Sequence, residues 1–424
     1  MFKTSSTTGL IPSIEKLDSI ARQTGLITRH SHRFSGHGFL LSLMQNVLRG
    51  SNSLNHIAGS LGRFQPKKMS RQAMQRRIGE SSTSFLTGVL MDIVKRRTRN
   101  VLGRQSPIRR VLIEDSSVLT MHHSNHTDFA GNGNGRNTAG AKVHLLADWL
   151  SGDVLECAMH AARCPDQKLA RVVLPHCREG DLVIRDMGFF HMDSLRKIEN
   201  SGAFWLSRLP AAVSAYDSRG RNLDDLLKKD KRKQFCIDLY LGKERRKMKC
   251  RLVATRLDKT QTEKNRRLRR RNAKRHGATP SKRGLLRDGW SLLVTNVPEE
   301  LIEPAKLYEL YSLRWSIEIQ FRGFKQSCRI DKALNHRSSR HHLQALVLAA
   351  MIYQVITLKT QARIRRRKDG SGVSYEKLCD DLSGHFLTLT RDTIQRYYDP
   401  DIRHLNHDTR TRQTLYSTGL HSLS

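Results

Sequence analysis

Between Arg109 and Pro210 the apolar pattern of this chain changes period several times, and that succession leaves few folds open. Just past Pro107, IRRVLIEDSSVLTM has a β-branched, apolar core and reads as a strand from Arg109 to Met121. The Gly- and Asn-rich AGNGNGRNTAG is a loose turn. AKVHLLADWL and DVLECAMHAA follow as two further strands joined at Ser151-Gly152, completing an antiparallel meander. Asp166 to Cys177 reads as a helix, DLVIRD as a short buried strand ending in Asp186, His191 to Asn200 as a helix and AFWLSRLP as a strand. The expected order is β-β-β-α-β-α-β, an α+β arrangement.

The flanks differ in character. Residues 1–105 read as helical and basic, with helical spacing at Ile14 to Gln23 and Phe39 to Leu48, then two short helix candidates, Ser53 to Leu61 and Ser70 to Ile78. Ser70 is a plausible N-cap. The second of the pair carries Arg71, Gln72, Gln75, Arg76 and Arg77, residue types that read base edges and phosphates, and the two together resemble a helix-turn-helix. Ordinary helical packing with a basic exterior is the competing reading. A charge run at Lys95, Arg96, Arg97, Arg99 and Arg104 follows. Residues 211–300 read as a mainly β insertion: QFCIDLYL, KCRLVATRL and GWSLLVTNV are strand-like, with a basic tract from Lys264 to Arg275 between the last two. Residues 301–334 read as a long helix beginning at Pro304, and residues 335–424 as mostly helical with an exposed RIRRRKDGSG loop.

Lys and Arg outnumber Asp and Glu 75 to 39, a net charge of +36. Such a field points to a polyanion, most simply nucleic acid, because neutralised phosphates release counterions. An anionic membrane surface competes, but the best apolar stretch, Leu343 to Leu358, is interrupted by Gln344 and Gln354 and is too short to span a bilayer, so it reads as a buried helix. The beginning, MFKTSSTTGL, lacks the apolar core of a signal peptide. Seven scattered cysteines without a C-x-x-C pair argue against a zinc ribbon and a disulfide framework and fit a reducing cytoplasm. Aromatic residues at 6% are too few for a single-strand stacking platform.

The stretch YSLRWSIEIQFRGFK, Tyr311 to Lys325, reads as helix. Tyr311, Arg314, Glu318 and Lys325 then fall on one stripe within roughly 60° of arc. A phenol, a guanidinium, a carboxylate and an ammonium on one face suit a surface that grips phosphates around a carboxylate; a solvated face with Arg314–Glu318 pairing is the bland alternative. Phosphodiester chemistry needs carboxylates brought together from separate elements to hold hard cations. Asp115 lies among apolar strand residues, where an unpaired charge is costly. Asp186 ends a buried-looking strand, and Glu318 is the third candidate, with gaps of 71 and 132 residues between the three. His122, His123 and His126 have no zinc-site geometry.

Y311-x2-R314-x3-E318-x6-K325 matches the signature of DDE transposases of the insertion-sequence-four type, and the supporting matches cover roughly residues 109–330. The order of elements is similar to that of the ribonuclease H-like fold, and relatives with this signature carry a β insertion before the glutamate helix. The resemblance implies a ribonuclease H-like catalytic domain at 106–210 and 301–334, interrupted by the insertion and flanked by helical regions. Asp115 in VLIEDSSVL resembles the family's first acidic residue, Asp186 in VIRDMGFF the second, and Glu318 the third. They would coordinate two Mg²⁺ ions, with Mn²⁺ a plausible substitute. Tyr311, Arg314 and Lys325 would hold phosphates, Trp290 would pack against a flipped base unless it is simply a core residue of the insertion, and Arg208 matches a basic DNA-contacting position. Arg71, Gln75 and Arg76 would contact DNA from the helix-turn-helix.

The implied activity is that of a bacterial insertion-sequence transposase, acting in the cytoplasm at the nucleoid as a homodimer on DNA, with no membrane partner. It would bind terminal inverted repeats, cleave the ends and join 3′-hydroxyls to target DNA. Two alternatives stay open: a catalytically silent repressor or inhibitor derived from such an element, and a ribonuclease H-like nuclease without strand transfer.

Overall fold

The computed structural model describes residues 12–28, 34–64, 69–95, 107–132, 138–242, 247–367 and 373–384. The charge run beyond Lys95, the middle of the Gly/Asn turn, the KDGSG part of the expected loop and the region past Gly384 lie outside them. The chain divides into two compact units, one of residues 1–101, 116–164 and 315–416 and the other of residues 102–115, 165–314 and 417–424. These units cut across the boundaries expected at 105, 210, 300 and 334, because the chain passes from one to the other within strands and turns.

The first unit opens with five helices: α1 (Ile14–Gln23), α2 (Gly36–Leu48), α3 (Leu54–Leu61), α4 (Arg71–Arg77) and α5 (Glu80–Lys95). Serine caps start the first four: Ser13, Ser35, Ser53 and Ser70 each accept a backbone N–H three residues on, satisfying a donor the helix cannot. α1 buries only Leu17, Ile20 and Ala21, whereas α2 is buried nearly all round. Strand β1 (Arg110–Met121) runs through both units; its second half belongs here, with β2 (Ala139–Asp148) and β3 (Asp153–Ala161) in the order β3-β2-β1. β2 and β3 pair antiparallel through a turn at Gly152, whose φ of +67° favours glycine.

In the second unit β1 is followed by α6 (Asp166–Leu169), β4 (Asp181–Arg185), α7 (Met192–Asn200) and β5 (Phe204–Arg208), so the order expected for 109–210 is the order observed. The helix expected at Asp166 to Cys177 is cut to one turn: Pro165 precedes it, and β-branched Val172-Val173 and Pro175 take the chain into turns and a 3₁₀ segment. Next come β6 (Ala215–Tyr216), α8 (Leu223–Lys229), β7 (Gln234–Leu241), β8 (Met248–Arg256), α9 (Lys259–Arg275), α10 (Lys282–Arg287) and β9 (Trp290–Thr295). This insertion is mixed, not mainly β. Its basic tract is the inside of α9, longer than any of its strands. The strand order is β1-β4-β5-β9-β8-β7-β6: β1, β4 and β5 run parallel, and β9 docks antiparallel on β5. The insertion therefore extends the sheet that carries β1 and β4. Buried Trp205, Leu206, Leu252 and Val294 line its core.

The unit ends on α11 (Pro304–Ser312), and the first resumes with α12 (Trp315–Gln326), α13 (Ile330–Leu334), α14 (Arg340–Arg367) and α15 (Tyr375–Gly384). The single helix expected from Tyr311 to Lys325 is thus two. Leu313 N–H donates to Leu310 and Arg314 N–H to Tyr311, three-residue bonds that tighten the turn and end α11. By length and composition Arg340–Ala362 of α14 could cross a membrane, but 94% of its most apolar window is buried, against α2, α5, α15 and β3 among others.

Candidate functional site

β1 and β4 pair in parallel with Glu114 opposite Arg185. The next residues are Asp115, within β1, and Asp186, just past the end of β4, so the register sets these aspartates side by side. The side-chain alternation of strands then separates two layers. Glu114 and Arg185 face inward and form an ion pair at 2.8 Å with neither side chain exposed. Arg185 also donates to Ser194 and to the carbonyl of Ala170. Asp115 and Asp186 face the other way, with side chains 15% and 40% exposed.

Arg314, in the turn after α11, lies against both. Its Nη1 is 3.5 Å from Asp115 Oδ2 and its Nε 3.9 Å from Asp186 Oδ1. Tyr311, at the end of α11, donates its hydroxyl to Asp186 Oδ1 at 3.5 Å. Burial first, and the Asp186 carboxylate second, push this phenol up to about 12, against the opposing pull of Arg314 and Arg208. Tyr311 is therefore a proton-bearing donor and not a nucleophile at neutral pH. Arg208, exposed at the end of β5, has its guanidinium 5.5 Å from the Tyr311 ring centre. Five residues from four elements, Asp115, Asp186, Arg208, Tyr311 and Arg314, thus converge within the second unit.

Glu318 and Lys325 lie in the first unit. Glu318 is half-buried in the first turn of α12. Lys325, in the last turn, donates to the carbonyl of Val118 at 2.8 Å, which ties α12 to β1. The geometry suits hard oxygen chemistry: two carboxylates side by side, one guanidinium loosely shared between them. Such a pair fits the one or two carboxylates by which Mg²⁺ is commonly held. Among the described residues no three His, Cys, Asp or Glu side chains form a group that could hold an ion.

On α4, Ser70 is the N-cap as expected and Arg71, Gln75 and Arg76 are exposed. Arg71 and Gln75 line a cleft of about 420 Å³ with Asn52, Asn55, Arg337 and His342. Arg77 is differently used: it donates to the Leu26 carbonyl and stacks 3.9 Å over Phe34, holding α4 in place.

Trp290 is 6% exposed, with Phe235 edge-on at 5.7 Å and the Arg256 guanidinium 4.2 Å over the ring. It packs within the insertion and also lines a cleft with Arg256, Lys259 and Arg266. The buried Glu114–Arg185 pair escaped the sequence reading. Its signal was present, a charge in each of two apolar strands, but the pairing becomes visible only with the register.

The chain belongs to the transposase DDE domain family, whose model matches residues 106–355. Among its relatives, the transposase for insertion sequence element IS231E of Bacillus thuringiensis subsp. finitimus is 24% identical over 386 residues, covering 85% of this chain and 80% of that one. The transposase for insertion sequence element IS1151 of Clostridium perfringens is 24% identical over 411 residues, 89% and 85% of the two chains. Among solved structures, a piggyBac transposase synaptic complex with hairpin DNA aligns with 97% of this chain and 82% of its own, at 10% identity and a TM-score of 0.44.

Proposed function

We propose that this transposase breaks and joins DNA strands where the middle of β1 and the end of β4 set Asp115 and Asp186 side by side, with Glu318 as the third carboxylate. The observation that carries the reading is the parallel register of β1 and β4, which makes Asp115 and Asp186 neighbours with Arg314 against both. The parallel β1, β4 and β5 support a ribonuclease H-like catalytic domain.

Asp115 and Asp186 would hold Mg²⁺, or Mn²⁺ in its place, with Glu318 added as third ligand on the strength of the family signature alone; bound there, the ions would supply Lewis-acid stabilisation of the attacking and leaving oxygens. The chain's own residues do the rest. Arg314 neutralises the paired carboxylates and orients them. Tyr311 keeps its proton and hydrogen-bonds Asp186. Arg208 presents an exposed cation beside the ring, placed for a phosphate of the bound strand. Arg71, Gln75 and Arg76 on α4 contact the duplex, Lys and Arg elsewhere neutralise its backbone, and the substrate is the inverted repeat at each element end. Two ends must be held together for joining, which favours a homodimer on DNA, at the bacterial nucleoid in the cytoplasm.

The test is Mg²⁺-dependent nicking of an oligonucleotide carrying the element's terminal repeat, followed by joining of the freed 3′-hydroxyl to a plasmid. Asp186→Ala should abolish nicking, and Glu318→Ala should retain binding while losing it. Wild-type rates in both variants would refute the assignment. Nicking without joining would leave a nuclease of the same chemistry.

A further inference from the structure

Helix α9 carries a strong positive charge, and only one of its faces is used in docking. None of the residues of Lys259–Arg275 is buried. One face is fastened to the unit: Arg269 grips Asp288 with two bonds of 2.7 Å, Asn265 donates to the Asp288 carbonyl and Arg266 to the Leu285 carbonyl. The opposite face carries Lys264, Arg267, Arg271, Lys274 and Arg275, all exposed and with no partner among the described residues. Their offsets of 0, 3, 7, 10 and 11 place them within about 100° of arc, along roughly 16 Å of axis.

Arg267–Arg271 and Arg271–Arg275 are like-charge pairs one turn apart, which destabilise a helix. No acid on that face relieves them, and Glu263 is engaged by Arg266 and Arg270. A stripe of this kind has no packing value, and it suits a partner with closely spaced negative charge along a line of similar length. A membrane surface fits poorly, because an interfacial helix needs an apolar face and the exposed large apolar residue on α9 is Leu268 alone. The stripe is Lys and Arg throughout, side chains suited to phosphate oxygens, and its even spread along the helix suits a backbone better than a set of base edges.

We propose that the outer face of α9 is a sequence-independent track for the phosphate backbone of duplex DNA outside the terminal repeat. The inference rests on the DNA-processing reading above but uses none of its catalytic residues.

The experiment measures binding of the full chain to a generic duplex without terminal-repeat sequence, as a function of NaCl concentration. The variant Lys264→Gln/Arg267→Gln/Arg271→Gln/Lys274→Gln/Arg275→Gln keeps a helix-favouring residue at each position and leaves the docked face intact. Each lost phosphate contact removes about 0.9 from the slope of log K against log salt, so the slope should shrink by about four to five, with a thermal melt unchanged or raised. The smaller variant Lys264→Gln/Arg267→Gln/Arg271→Gln should lose about three-fifths of that, and gives the answer if the larger one folds poorly. An unchanged slope in well-folded variants overturns the proposal. So does an effect confined to anionic lipid vesicles or to single-stranded RNA. Because the duplex is not cleaved, the outcome is separable from the Asp186→Ala test of the active site.

Discussion

The Tyr311 hydroxyl donates to Asp186 Oδ1 across 3.5 Å, from a phenol whose acidity is suppressed by burial and by that carboxylate, up to about 12. A tyrosine held this way serves by keeping its proton. Tyr311→Phe should therefore slow end cleavage by only about three- to tenfold, the worth of an ordinary hydrogen bond, because at 3.5 Å this one is too long to reach the strength of a charge-assisted bond. The pH–rate profile between about pH 6 and 9 should keep its shape, since an ordinary tyrosine titrates near 10 and this one higher. Complete loss of cleavage, or a covalent DNA–protein adduct in the wild type, would make the phenol a nucleophile and remove this account.

Behind the aspartates, Glu114 and Arg185 form an ion pair without solvent. Deleting one partner strands the other in an apolar interior, which costs about 3–5 kcal/mol. Glu114→Ala or Arg185→Ala should lower the urea midpoint of the second unit accordingly, and Glu114→Leu/Arg185→Met should recover part of the loss. Arg185 also serves Ser194 and Ala170, so recovery should be incomplete. Single variants as stable as wild type would show that the pair does not hold β1 against β4.

What could be read from the chain and what could not separate along physical lines. Asp115 and Asp186 were visible because a carboxylate beside an apolar run is costly, and the order of strands and helices because the hydrophobic period changes with each element. The break at Leu313-Arg314 was not visible. Neither residue is Gly or Pro, and both favour helix, so propensity argued for continuity and tertiary packing overrode it. The one-turn helix after Pro165 could have been foreseen from Pro175. Charge runs were recognisable as charge, but only the docking of Arg266 and Arg269 in α9 shows which side is left outward. The compact units could not be inferred, because β1 contributes one half to each.

His342 at the start of α14 is buried, and burial pushes its imidazole down to about 4. Its Nε2 has no hydrogen-bond partner. The native state thus favours the neutral ring, while the unfolded chain takes a proton near 6.5. Between about pH 6.5 and 4 the unfolded state binds more protons, so stability is full above that window and falls as the pH drops through it. From pH 7 to 5 the first unit should lose about 2 kcal/mol from this group alone. Urea melts at the two pH values should show the difference in wild type and a smaller one in His342→Phe. Equal losses in both proteins would assign the acid sensitivity elsewhere.

Arg314 is the residue on which the paired aspartates depend. It lies 3.5 Å from one carboxylate and 3.9 Å from the other, near enough for strong attraction and too far for tight hydrogen bonds. Arg314→Gln removes the shared positive charge from two like charges on neighbouring strands. By electrostatics the pair then attracts a divalent cation more strongly, since a competing cation has gone. The variant should show a larger rise in melting temperature on adding Mn²⁺ than wild type does, while end cleavage falls at least about tenfold because the orienting contact is lost. Arg314→Lys should restore the smaller Mn²⁺ response but not full cleavage, as a point charge on a flexible stem cannot span two acceptors as a planar fork does. If Arg314→Gln responds to Mn²⁺ as wild type does, the guanidinium does not compete for the carboxylates and the arrangement of this site must be redrawn.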